Sequence, residues 1–139
     1  MLNRMSVTIA GLEYNRAMLL LAVLEKRAGI YLGNQDAYLN IVGGLRVNDP
    51  SADLPALLAL ASSHKDASLP ADLVAFGEVG LAGELRGVPF TARRLSEAYR
   101  LGFHTAVVPV QSMKNTPIPE GMRVIKAKTL REAYKGVGL

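Results

Sequence analysis

Apolar and polar positions divide the chain into an ordered series of strands and helices. Residues 4–10, "RMSVTIA", set Val7 and Ile9 against Thr8, which predicts a strand. Residues 14–29, "YNRAMLLLAVLEKRAG", predict a helix with Gly29 at its C-terminal stop. The middle of that helix is apolar nearly all round, which predicts burial on more than one side. Residues 36–44, "DAYLNIVGG", read as a strand running into a glycine turn at 42–44. A second helix follows the Asp49–Pro50 turn, over about residues 52–64. Pro55 fits only the first turn of a helix, where its missing N–H is no loss. The regular helix is therefore expected to start near Asp53 or Leu54.

Farther on, Leu73 to Phe76 and Glu84 to Val88 predict strands with a glycine-rich turn between them. Residues 91–102 predict a helix with Thr91 as N-cap and Gly102 as a left-handed stop. Residues 104–110 form a buried strand, a loop follows, and residues 122–128 alternate as a strand. Residues 129–136 predict a short helix opened by a capping box, Thr129 with Glu132. Strands and helices alternate, so the fold class is α/β.

Composition narrows the chemistry. The chain has 139 residues, half of them apolar and a fifth charged, which suits one packed domain. There is no cysteine, which excludes disulfides, thiolate metal sites and cysteine nucleophiles and is consistent with a cytosolic chain. Two histidines, His64 and His104, are too few for a histidine-rich metal site. No signal peptide is evident, and the apolar run at 17–24 falls short of the ~20 residues that span a bilayer. The chain reads as soluble and cytoplasmic, with no membrane partner. Its net charge of +4 is uneven. Residues 1–85 carry 6 basic and 9 acidic side chains, and residues 86–139 carry 10 basic and 3 acidic. A basic half suggests a polyanion, although solvated basic faces are also common.

Two segments together carry a family resemblance. "DPSAD" followed by an alanine- and leucine-rich helix resembles the serine turn and helix of the Lon-type proteolytic domain. "GEVGLAGELRGV", a helix, a "GF–AVVP" strand and a "PEGM–V" strand follow that domain's order. With "YNRAMLLLAVLEKRAG" and "NQDAYLNIVGGLRV", the chain is similar to the carboxy-terminal Lon-like domain of the bacterial RadA (Sms) family of recombination and repair ATPases. The similarity covers about residues 4–136. It implies a ribosomal-protein-like, Lon-type two-layer fold with a mixed sheet and packed helices. In that family a four-cysteine zinc motif and an ATPase core precede this domain. This chain has neither cysteine nor a G-x-x-x-x-G-K-[ST] loop, so ATP, magnesium and zinc are implied only for the missing parts. Residues 1–139 read as a single Lon-like domain, a fragment lacking those parts and possibly the first strand or hairpin. A lost strand would leave a sheet edge prone to self-association.

By this resemblance Ser51 stands at the nucleophile position. A serine hydroxyl needs an adjacent base to take its proton. The position of the Lon lysine aligns with Ala92, followed by Arg93 and Arg94. An arginine pKa above ~12 rules it out as a base near neutral pH. Arg93 is also rotated ~100° from the face shared by Ala92, Leu95 and Tyr99. His64 and Lys65 lie roughly 20 Å along the helix from Ser51, beyond hydrogen-bond reach. Asp53 does not share Ser51's helical face, and sequence does not place His104. Ser51 therefore reads as a relic nucleophile that now caps a helix or holds a turn.

Other groupings read as structure. Glu78 and Glu84 flank the "EVGLAGE" hairpin rather than forming a catalytic pair. "GEVGLAG" has no lysine and leads to a strand, so it is not a phosphate cradle. Arg86, Arg93, Arg94 and Arg100 are candidates for sequence-independent phosphate contact with DNA, with Lys126, Lys128, Arg131 and Lys135 near the C-terminus. Local ion pairs with Glu97 and Glu132 are the plainer reading of these charges. Base stacking has little support, because aromatics are few and Tyr99 and Phe103 read as core. The resemblance implies a non-catalytic scaffold and oligomerisation domain. Its copies join in a ring, hexameric in the full-length family, and bind single-stranded or branched DNA without sequence specificity. The alternatives are a serine peptidase with an unusual base and an oligomerisation domain without DNA contact.

Overall fold

The apolar run "TAVVP" has no polar alternation, and a strand of that kind needs cover on both faces. A computed structural model describes residues 7–10, 14–28, 37–40 and 49–139. In it that run is β6, and it is central to a three-stranded parallel sheet. In chain order the elements are β1 (Val7–Ala10), α1 (Tyr14–Arg27), β2 (Ala37–Asn40), a 3-10 turn (Pro50–Ala52), α2 (Asp53–Lys65), β3 (Leu73–Ala75), β4 (Glu78–Val79), β5 (Leu85–Arg86), α3 (Thr91–Arg100), β6 (Thr105–Pro109), a second 3-10 turn (Val110–Met113), β7 (Arg123–Ala127) and α4 (Leu130–Gly136). The expected glycine turn at 42–44 and the Gly29 stop lie outside the described residues.

The pairing is parallel for β3-β6-β7 and for β1-β2, with α1 carrying the crossover between β1 and β2. β4 and β5 pair antiparallel, Glu78 opposite Arg86 and Val79 opposite Leu85. The mixed α/β class is thus present, but parallel and antiparallel pairings sit in separate ladders. Alternate side chains of β6 point into different cores. Val107 joins Leu20 and Leu24 of α1, Leu54, Leu57 and Leu58 of α2, and Leu130 and Tyr134 of α4. Ala106 and Val108 join Leu95 and Ala98 of α3 with Phe76 and Met122. Helices cover both faces of this sheet, where the family resemblance implies two layers.

Three local expectations are corrected. Helix α1 buries one broad stripe, Leu20, Leu21, Val23 and Leu24, while Leu19 and Ala22 are exposed. Thr91 is not the N-cap of α3. Phe90 holds that position in a left-handed conformation, and the Thr91 hydroxyl donates to the Val88 carbonyl at 3.2 Å. Tyr99 lies at the surface, its ring edge-on to His104, because the buried stripe of α3 runs through Thr91, Leu95 and Ala98. Other signals hold. Gly102 stops α3 with φ +99°, and Glu132 N–H donates to the Thr129 hydroxyl at 3.1 Å at the start of α4. Gly83 has φ +81°, and a Cβ there would meet Cβ of Arg27 at 2.9 Å, so the β4–β5 turn can press on the end of α1 only as glycine.

One polar contact joins these parts in the interior. Asp53 is 2% exposed and accepts hydrogen bonds from the Arg16 Nε at 3.0 Å, from the Arg16 Nη2 and from the Val79 N–H at 3.0 Å. Removing one partner of a buried pair leaves the other uncompensated. Asp53→Asn is expected to lower unfolding stability by about 3 kcal/mol. Leu19→Gln, at an exposed position of α1, is expected to change it by less than about 0.5 kcal/mol. Urea denaturation monitored by circular dichroism compares the two.

Candidate functional site

The serine turn is organised by its flanking aspartate. Asp49 is extended, and its carboxylate accepts the Ser51 N–H at 3.0 Å, capping the 3-10 turn. Helix α2 then starts at Asp53 behind Ala52, which makes no side-chain cap. The backbone of Ser51 and Leu54 is exchanged with Gly77. Gly77 N–H donates to the Ser51 carbonyl at 2.9 Å, and Leu54 N–H donates to the Gly77 carbonyl at 3.0 Å. A Cβ on Gly77 would stand 3.0 Å from Cγ of Pro109, so this close approach suits glycine. Ser51 is a turn residue, and the capping function expected of it belongs to Asp49.

The Ser51 side chain is buried and accepts a hydrogen bond from Nη1 of Arg94 at 3.2 Å. Arg94 also donates from Nη2 to the Asp49 carboxylate at 3.4 Å and from Nε to the Pro89 carbonyl at 2.9 Å. Its guanidinium carbon lies 5.6 Å from the centroid of the Phe76 ring. An arginine on α3 therefore does reach the serine, contrary to the expectation from helical faces. The residue is Arg94 rather than Arg93, and it comes as a donor. A guanidinium remains charged at working pH and cannot accept the hydroxyl proton.

The other residues singled out from the sequence fall apart from this centre. Ala92 is exposed on α3. His64 and Lys65 are in the last turn of α2. His104 lies at the far end of the β3–β6 ladder. Its N–H bonds the Asp72 carbonyl before β3, whereas Ser51 bonds Gly77 after it. That five-residue interval spans roughly 16 Å of strand. His104 Nδ1 instead lies 3.8 Å from the Asp72 carboxylate. Glu78 and Glu84 flank the β4–β5 hairpin, as read from the sequence. Glu78 lies 3.8 Å from Arg16, and Glu84 accepts from the Ala82 N–H at 3.0 Å. Among the described residues no group of three His, Asp or Glu side chains could hold a metal ion.

The four arginines expected to face DNA divide into two kinds. Arg86 pairs with Glu84 at 3.3 Å, Arg94 with Asp49 at 3.4 Å, and Arg100 with Glu97. Hydrogen bonding to Arg100 holds the Glu97 carboxyl below the usual carboxylate range. Arg93 has no carboxylate partner among the described residues. Its guanidinium carbon lies 5.9 Å from the centroid of the exposed Phe90 ring. Arg93 and Arg94 line one side of an open groove of about 500 Å³, with Ser51, Pro55, Phe76 and Phe103 among its other walls. Phe90 carries no weight in the sequence patterns. Its only signal there is a bulky residue immediately before a helix start.

The chain is 51% identical over 123 residues to the DNA repair protein RadA of Salmonella typhimurium, covering 88% of this chain and 26% of that protein. It is 47% identical over 127 residues to the DNA repair protein RadA of Mycolicibacterium smegmatis, covering 91% and 27%. It is 44% identical over 130 residues to the DNA repair protein RadA of Streptococcus pneumoniae, covering 94% and 31%. The chain thus spans about a quarter to a third of the length of the curated relatives it matches. No protein-family model matches it.

The Asp49 carboxyl is held below the usual carboxylate range, first by the hydrogen bond from the Ser51 backbone N–H and to a smaller extent by Arg94. In an Arg94→Ala variant its titration midpoint, followed by NMR, is expected to rise only part of the way to the ordinary value. Because the folded value is depressed, the stability Asp49 contributes is complete above about pH 4. It is lost as the pH falls through the folded midpoint.

Proposed function

The chain matches the RadA family, and from that premise we propose that it is a non-catalytic, Lon-like scaffold module of a DNA repair ATPase. In this reading it supports assembly of the full-length protein into a ring and lends basic surface to the path of the DNA. The DNA contact is to phosphates and is independent of sequence.

The observation that carries the reading is the pattern of unbalanced charge. Arg93, Lys114, Arg123, Lys126, Lys128, Arg131 and Lys135 are exposed and form no ion pair with a carboxylate among the described residues. Five of them belong to β7, the residue after it and α4, which packs on β7. β7 is an edge strand of its three-stranded sheet, and only just past its C-terminal end does the β4–β5 hairpin meet it, Leu85 N–H donating to the Lys128 carbonyl at 2.9 Å. Arg86, Arg94 and Arg100 remain part of the proposed surface, but each already faces a carboxylate that a phosphate would have to share or displace. The strongest contacts in this proposal are therefore Arg93 and the β7–α4 set.

The non-catalytic part of the proposal rests on the Arg94 guanidinium at Ser51. A donor at the hydroxyl offers no route for its proton, so the serine is not activated.

Two measurements test the proposal. Charge reversal of Arg93, Lys126, Arg131 and Lys135 to Glu is expected to weaken DNA binding by fluorescence anisotropy. It is also expected to flatten the dependence of log affinity on log salt by about 1 for each phosphate no longer neutralised. Unchanged affinity and slope would remove DNA contact from the proposal. Separately, a fluorophosphonate probe is expected to leave Ser51 unlabelled. Labelling that disappears in Ser51→Ala would restore the peptidase reading.

A further inference from the structure

Phe90 combines two features that packing does not explain. It is 69% exposed, and its backbone is left-handed at φ 62°, ψ 35°. A bulky side chain in that region is a steric outlier and costs free energy that its surroundings must hold in place. They do so here. Gly87 N–H donates to the Gln111 side chain at 3.3 Å, and Val88 N–H donates to the Ser112 hydroxyl at 3.0 Å. The Val88 carbonyl accepts from Thr91, the Pro89 carbonyl from Arg94 Nε at 2.9 Å, and the Phe90 carbonyl from Arg94 N–H at 2.9 Å. Five hydrogen bonds therefore pin residues 87–90 and the start of α3 while the ring itself stands in solvent.

The ring has a cation over one face and leaves its other face for a stacking partner. Arg93 lies 5.9 Å from its centroid and has no carboxylate partner among the described residues. A flat apolar face next to an uncompensated guanidinium complements a flat ring attached to an anion. The geometry points to an unpaired nucleobase of single-stranded DNA stacked on Phe90, with its phosphate on Arg93. Paired bases inside a duplex do not present that face. Phe90 therefore supplies a preference for single strands that the basic surface alone lacks. Stacking is tolerant of sequence, because every base has a π-face. The groove that Arg93 lines, with Arg94, Phe76, Phe103 and Glu97 among its other walls, leaves room for a neighbouring nucleotide. This assignment rests on the DNA-binding reading above and refines it.

The test uses the 139-residue chain, an oligo-dT strand, the same strand with abasic sites, and a duplex, all at one salt concentration. Phe90→Gly is expected to lose about 5- to 100-fold in affinity for oligo-dT and none for duplex. Its thermal midpoint is expected to stay or rise, because glycine accepts the left-handed backbone without strain. Wild type on the abasic strand is expected to bind as weakly as Phe90→Gly on oligo-dT. The chain has no tryptophan, so Phe90→Trp carries a single indole, and oligo-dT but not duplex is expected to quench it. Wild-type binding with an unaltered Phe90→Gly affinity would overturn stacking alone. Equal losses on single strand and duplex would assign Phe90 a general role and overturn it as well. If wild type bound no DNA of any kind, the basic-surface reading would fail first and this one with it.

Discussion

The Asp53 carboxylate is the point through which the separate parts of the molecule are tied. It lies at the first residue of α2, takes Arg16 from α1 and takes the Val79 amide from β4. A charge this deep is tolerated only when its lone pairs are filled by well-placed donors. That requirement fixes the approach of α1 to α2 and the seat of the β4–β5 hairpin on both. The position of the serine turn follows, because Ser51 and Leu54 on either side of Asp53 are bonded to Gly77, two residues before Val79. Apolar burial is non-directional, so these directed hydrogen bonds set the register more sharply than it does.

The same geometry gives the serine turn a structural role of its own. Ser51 is buried, backbone-bonded and oriented. What stands beside it is a guanidinium with three further tasks. It also bridges to Asp49, bonds Pro89 and lies over Phe76. The serine thus serves as one acceptor in a cluster that ties the N-terminal end of α3 to the turn before α2. Such a cluster has structural value whether or not anything is ever cleaved.

Much of the element order is legible in the sequence, because strong local signals agree with the fold. Pro55 marks the true start of α2, Gly102 the end of α3 and Thr129 the start of α4. Layering is partly legible in "TAVVP", whose unbroken apolar run demands cover on both faces. The errors come where tertiary contact overrides local spacing. Helical geometry says which residues share a face of α3 but not which face is covered, so spacing alone puts Tyr99 in the core and gives Phe90 no part. The reach of Arg94 across 43 residues to Ser51 has no signature along the chain. Nor has the pairing of Arg94 with Asp49 across 45 residues, whereas the pairing of Arg100 with Glu97 follows from their i,i+3 spacing.

The phenol of Tyr134 donates to the Leu57 carbonyl at 3.2 Å, across 77 residues, and burial pushes its pKa upward. With Leu130 and Ala133 it closes the core that α1 and α2 begin. During synthesis α1, α2 and the hairpin therefore emerge with an apolar side still open. That side stays open until α4 has cleared the ribosome. Contacts of such long sequence separation form late and slowly. The nascent chain passes through a period in which its leucine-rich helices need shielding, and the pace at which the residues between α2 and α4 are added sets how long that exposure lasts.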